Sequence, residues 1–161
     1  MYHTSLKIVK ALVGVAVLSV VSFSVTLTPT FQEYATRTQV SEAISMMQYE
    51  RTNILGIFLR GGGCTYQGMP YAVKGNYGTL VVSGVYYEGS MKNNDALLNT
   101  GCNLTYTFNQ SFVARKLQGK VISADLFNNV ALSRASETNV DLSLLPESLS
   151  VLTEKEEKKG E

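Results

Sequence analysis

The residues able to do chemistry in this chain are few and poorly spaced for it. Its single histidine, His3, lies before a long uncharged run, so no Ser-His, Cys-His or histidine-metal constellation can assemble in whatever folds after that run. Cys64 and Cys102 are the two thiols. They show no CxxC spacing and have no neighbouring histidine, which argues against a metal site or a catalytic pair and leaves one disulfide pairing open. Carboxylates at Glu88, Asp95, Asp125, Glu137 and Asp141 are scattered, with no pair at a spacing suited to general acid–base work; acids of this kind are ordinarily solvated surface. Gly61-Gly62-Gly63 lacks the lysine and hydroxyl of a phosphate-binding loop and follows a helical pattern instead of opening one, so it reads as a helix stop. Asn103-Leu-Thr105 and Asn109-Gln-Ser111 match glycosylation acceptors, but such triplets arise by chance in a chain rich in Asn, Ser and Thr, and no function is assigned to them. Tyr66, Tyr71, Tyr77, Tyr86, Tyr87 and Tyr106 supply rings with polar tips, suited either to strand packing or to a binding surface. The expectation is a non-enzyme without cofactor or metal.

The elements that carry these residues begin with a membrane segment. From Ala11 to Gln32 the chain has no charge, and as a helix such a run spans roughly 30 Å, enough to cross a bilayer. Lys7 and Lys10 precede it and no acid occurs before Glu33, which by the positive-inside tendency keeps the N-terminus in the cytoplasm and sends the rest outside. A cleaved secretory signal is the rival, with Ser22-Phe23-Ser24 as a loose cleavage triplet, but the apolar run continues past that point. Under either reading the cysteines reach an oxidising compartment, where a Cys64–Cys102 disulfide is expected. Gly14, Ser19 and Ser22 would allow close helix packing within the bilayer, and Pro29, among Thr26, Thr28 and Thr30, would bend the helix as it leaves.

Past the membrane, apolar residues recur at Val40, Ala43, Ile44, Met47, Ile54, Leu55 and Phe58, a helical stripe with Glu33, Arg37, Glu42, Glu50 and Arg51 mostly off it. Met46 and Met47 suit irregular gaps under a sheet. The stretch from Cys64 to Gly78 reads as a loop. Strands are expected at 79–87, with a bulge at Gly84, at 104–108 continuing towards Val113, and at 120–127, separated by turns at 89–95, Thr100-Gly101 and Gln118-Gly119. Neighbouring strands should pair antiparallel, and the stripe is the obvious cover for their apolar face. The expected fold class is α+β, a long N-terminal transmembrane and amphipathic helix packed on a small antiparallel sheet. Its parts are a cytoplasmic tail over 1–10, a membrane helix over 11–29, an extracytoplasmic head over 30–152 and a charged, unstructured end over 153–161. With 14 basic and 13 acidic residues, the balance points to no nucleic-acid partner.

The segment Pro29-Thr-Phe-Gln-Glu-Tyr-Ala-Thr-Arg-Thr-Gln-Val-Ser-Glu-Ala-Ile44 resembles the corresponding part of type IV pilins, in which a proline, an aromatic pair and a Gln-Val-Ser-Glu-Ala run follow the apolar helix. Leu145-Pro146 is similar to a leucine-proline region near the pilin C-terminus. Counting back from Pro29, however, Lys7 stands where the peptidase needs glycine, Ile8 where the methylated aromatic follows, and Leu12 where pilins carry a glutamate. That glutamate is understood to meet a neighbour's terminal amine, an ion pair worthwhile only with both partners present. The resemblance therefore implies a pilin-shaped, inner-membrane, single-pass accessory protein with a periplasmic head, whose partners are type IV pilin and inner-membrane pilus assembly components. The alternatives are a processed pilus subunit, major or minor, and an unrelated membrane-anchored periplasmic binding domain.

Overall fold

The computed structural model describes residues 31–87 and 98–149. Gly14, Ser19, Ser22, Pro29, the expected membrane helix and both tails lie outside these residues, as do Glu88, Asp95 and the turn expected at 89–95. The chain divides into two units between Ala35 and Thr36; residues 31–35 of the first are helical, and the second holds the sheet.

Helix α1 covers 31–58. Val40, Ala43, Ile44, Met47, Ile54 and Ile57 are buried, because residues three and four apart share a face. Ile57 takes the place expected for Leu55, which is half-buried. At the stop, Gly61 adopts φ +76 and the Gly62 N–H donates to the Ile57 carbonyl at 3.0 Å, the six-to-one bond by which a left-handed residue closes a helix.

Five strands follow: β1 Tyr71–Lys74, β2 Gly78–Gly84, β3 Asn99–Phe108, β4 Val121–Phe127 and β5 Leu132–Arg134. They lie side by side in chain order, every neighbour antiparallel. Several boundaries differ from the sequence reading, and β2, expected to run to Tyr87, ends at Gly84. The four-residue β1 lies inside the expected loop, because its alternation is too short to stand out from the Gly, Tyr and Pro around it. Thr100 and Gly101 are not a turn but part of β3, at an irregularity between Asn99 and Cys102; glycine there supplies the φ of +84 that the bulge requires. The distortion thus falls on β3, whereas Gly84 ends β2. Finally, β3 stops at Phe108 instead of running to Val113; Phe112, at φ +61, lies outside the strand region.

Alternation along the strands separates two faces. Leu80, Val82, Leu104, Tyr106, Ile122, Ala124 and Leu126 point inward and form one core with the α1 stripe. The opposite face carries a polar ladder in which Thr105 Oγ1 donates to Asn103 Oδ1 (2.6 Å) and Asn103 Nδ2 to Asp125 Oδ1 (2.9 Å). The architecture is α+β, with one long helix on a five-stranded antiparallel sheet.

Two acids expected off the stripe instead tie α1 to the sheet. Glu42 accepts from the Asn76 N–H (2.9 Å), Asn76 Nδ2 (2.8 Å), the Tyr77 N–H (3.1 Å) and the Tyr106 hydroxyl (3.0 Å). Burial pushes its carboxyl up, but the bonds from Asn76, Tyr77 and Tyr106 together outweigh that and hold it below the usual range. A lowered folded value means that this stabilisation is complete above the ordinary carboxylate pKa of about 4.3 and is lost as pH falls through the folded value. Glu42→Ala, which strands the Tyr106 hydroxyl, is expected to lower stability by about 1–3 kcal/mol in urea unfolding. Glu42→Gln should make the acid side of the stability–pH curve shallower, and an unchanged curve would exclude the strap.

Candidate functional site

The α1 stop delivers the chain into a short loop that the disulfide pins to the sheet. Cys64 and Cys102 are bonded, with Cα atoms 5.3 Å apart, and both are buried beneath the loop. The pairing expected from the sequence is therefore formed. Because Cys102 lies in β3 opposite Gly84, the bond fixes the 61–70 segment at one end of the sheet. A 3-10 turn, Tyr66–Gly68, completes that segment.

Arg60 and Tyr66 form a ridge at its surface. The Arg60 guanidinium stands 5.8 Å from the centre of the Tyr66 ring, and its Nε donates back to the Gly56 carbonyl at 2.9 Å, so the side chain is held by a cation–π contact and by its own helix. Beside the ridge a groove of about 820 Å³ has Gly61–Gly63 as its floor and Phe58, Val85 and Tyr86 along its walls. Phe58 and Tyr86 pack with ring centres 4.7 Å apart. A second groove of about 610 Å³ shares Ile57, Arg60 and Tyr66 with the first and is otherwise lined by Glu50, Asn53, Met69, Pro70 and Tyr71.

The electrostatics of the two grooves follow from their places on α1. The first lies at the C-terminal end of α1, where helix carbonyls leave partial negative charge; that end favours cations and donors over phosphate. In the second, Glu50 is only 4% exposed, and its Oε2 accepts from the Tyr71 hydroxyl (2.6 Å) and from Asn53 Nδ2 (3.1 Å). Burial, and then the hydrogen bond to Glu50, push the Tyr71 hydroxyl well above its usual range. It keeps its proton at neutral pH, so the pair is a structural bond and a poor proton shuttle. Met69 and Tyr66 are 64% exposed, giving the rim an apolar, adaptable surface.

The other sequence candidates are dispersed. Asp125 is taken up by Asn103 on the far face of the sheet. Asp141 caps a 3-10 turn through the N–H and hydroxyl of Ser143, at 3.0 and 2.9 Å, which hold its carboxyl below the usual range, and Glu137 is exposed. Of the tyrosines, Tyr106 is fully buried, whereas Tyr66 and Tyr87 are exposed. Among the described residues, no three His, Cys, Asp or Glu side chains are placed to hold a metal ion, and no helix is long and apolar enough to cross a membrane. Sequence reading missed Glu42 and Glu50 as anchors. A signal was present for Glu50: the apolar stripe skips from Met47 to Ile54, and a period of 3.6 requires a member between them. No protein-family model matches the chain.

Proposed function

We propose that the chain is an inner-membrane-anchored, pilin-like accessory protein that assists type IV pilus assembly or dynamics through protein contacts. The observation that carries this reading is how α1 is used. From Val40 to Ile54 its apolar stripe shares one core with the chain's own sheet, so helix-to-helix contact with a partner falls to the uncharged run from Ala11 to Gln32. In that run Gly14, Ser19 and Ser22 suit close packing against type IV pilin or an inner-membrane assembly component. Lys7, Ile8 and Leu12, at the places of the pilin processing residues, favour retention in the inner membrane, with the N-terminus cytoplasmic and the head periplasmic. Lysines ahead of the run would be costly to draw into an apolar filament core.

A processed pilus subunit would also carry a sheet-covered helix, and intact mass separates the two readings. Cells producing the tagged protein are sheared, and the protein is weighed in the pilus and inner-membrane fractions. Uncleaved protein confined to the inner membrane is the expected result; a shortened species in sheared filaments overturns it. Gly14→Leu combined with Ser22→Leu should reduce pilin co-purification several-fold, and unchanged recovery would remove the bilayer contact from the proposal. The groove beside Arg60 and Tyr66 favours the third reading, a periplasmic binding domain on a membrane stem, if no pilus component co-purifies.

A further inference from the structure

The connection between β3 and β4 displays a residue that the fold has no use for. Phe112 is 96% exposed and has φ +61, the left-handed region that an aromatic residue enters only with strain. Among the described residues two other non-glycine residues share that conformation, Gln67 and Val130, and each has a local justification. Gln67 is polar and sits in a tight turn, and Val130 packs against the core. Phe112 has neither: it combines backbone strain with a fully hydrated ring, both unfavourable to the isolated head.

The loop that holds it is well anchored. The Phe108 N–H donates to the Lys120 carbonyl (2.9 Å), the Asn109 N–H to the Tyr77 carbonyl (2.9 Å) and the Gly119 N–H to the Asn109 carbonyl (3.3 Å). Leu117 is fully buried, and the Ala114 N–H donates to Oε1 of Gln39, a buried side chain on α1, at 2.8 Å. The ring therefore stands out from a fixed base instead of belonging to a floppy segment. Gln39 lies seven residues after Gln32, where the uncharged run ends, so the loop is tied to the part of α1 that is nearer in sequence to that run.

Charge points the same way. Arg115 and Lys116 follow Phe112 and are exposed; Lys74 at the end of β1 is exposed, and Lys120 is half-buried. Among the carboxylates of the described residues towards this end, Glu42 is occupied by its four hydrogen bonds, Asp141 interacts with Lys116, and Glu33 on α1 and Glu137 before Asn139 are exposed. An exposed aromatic ring flanked by cations is what an anionic lipid surface accepts, the ring entering the acyl boundary and the cations meeting headgroup phosphates.

We infer that the Phe112 loop docks the head onto the anionic phospholipid surface of the bilayer that holds its anchor. This rests on the membrane-anchored reading above. The surface recognised is a phosphate-bearing headgroup layer with hydrocarbon beneath, and the docked loop would hold the head beside its own membrane.

The chain contains no tryptophan, so Phe112→Trp places a single indole fluorophore at the loop tip. The full-length variant is reconstituted into vesicles of phosphatidylcholine with or without phosphatidylglycerol, and its emission is measured with lipids brominated near the headgroup end of the acyl chain. Blue-shifted, bromine-quenched emission that strengthens with phosphatidylglycerol is expected, along with loss of most of the quenching in Arg115→Gln combined with Lys116→Gln. Protein that floats with vesicles after alkaline carbonate but emits as a hydrated, unquenched indole overturns the docking and leaves the anchor standing. Protein released by carbonate overturns both. A photo-reactive residue at position 112 that cross-links a pilus protein in cells, with no lipid quenching, reassigns the loop to a protein partner. Phe112→Gly should leave the head's urea midpoint unchanged or raise it, because glycine adopts this φ without strain. A lowered midpoint would place the ring in the fold and overturn the inference.

Discussion

Replacing Cys64 and Cys102 together with alanine is expected to lower the unfolding free energy of the head by about 4 kcal/mol, the chain-entropy value for a loop of this size. The two residues are separated by 38 positions, and the segment they enclose includes the Tyr66–Gly68 turn, β1, β2 and the first residues of β3. In the oxidised unfolded chain that segment is a closed ring, and opening it restores conformational freedom to the unfolded state alone. Alanine is the cleaner probe because both positions are buried, and a serine hydroxyl would add the desolvation of an unpaired polar group. Urea unfolding of the variant should coincide with that of the reduced wild type. A midpoint shift equivalent to less than about 1 kcal/mol would mean that the 61–70 loop is held by packing and not by the covalent bond. A small α+β head has a total stability on the order of 5–15 kcal/mol, so the expected loss is large enough to leave the variant partly unfolded at growth temperature.

Gly84→Ala is the point substitution expected to do most harm. Gly84 has φ +112, and a Cβ there would run into the carbonyl oxygen of Gly101. That obstacle is backbone and cannot rotate away. Gly101 itself has φ +84 and precedes Cys102, whose position is set by the disulfide. A loss of about 3 kcal/mol or more is expected from backbone strain and overpacking combined. Gly61→Ala is the internal control: its φ of +76 is also left-handed, but nothing lies within 4 Å of the added carbon, so the backbone penalty stands alone at about 1 kcal/mol. If the two variants unfold at the same urea concentration, β2 and β3 do not approach as closely as the pairing of Gly84 with Cys102 requires.

The residues that were legible in sequence and those that were not differ in the range of the interactions that decide them. The α1 stripe could be read because helical period is a local property, and residues such as Val40, Ala43 and Met47 mark one face before any partner is known. Gly61 to Gly63 ended the helix for the same local reason. The strands expected at 79–87, at 104–108 towards Val113 and at 120–127 carried enough β-branched and aromatic residues to declare themselves, and β2, β3 and β4 overlap them. β1 did not, because four residues are too few to show a period, and their pairing with β2 makes them a strand. Thr100-Gly101 looked like a turn because glycine marks turns and bulges alike; whether the chain reverses or continues depends on β4 being alongside. In sequence Glu42 and Glu50 stand only as residues off the apolar stripe, because Asn76, Tyr77, Tyr106 and Tyr71 are brought to them across 21 to 64 residues of sequence.

By itself, then, the amino-acid order determined the α+β class, the helix with its apolar stripe, the helix stop and the single possible cysteine pairing, since each follows from spacing along the chain or from there being two thiols. Tertiary structure alone decided the five-strand meander, the use of Glu42, half-buried, and Glu50, buried, as helix-to-sheet straps, the grooves beside Arg60 and Tyr66, and the exposure of a strained Phe112. These depend on which distant segments meet, and a buried hydrogen bond or a stranded aromatic ring has no signature until its surroundings exist.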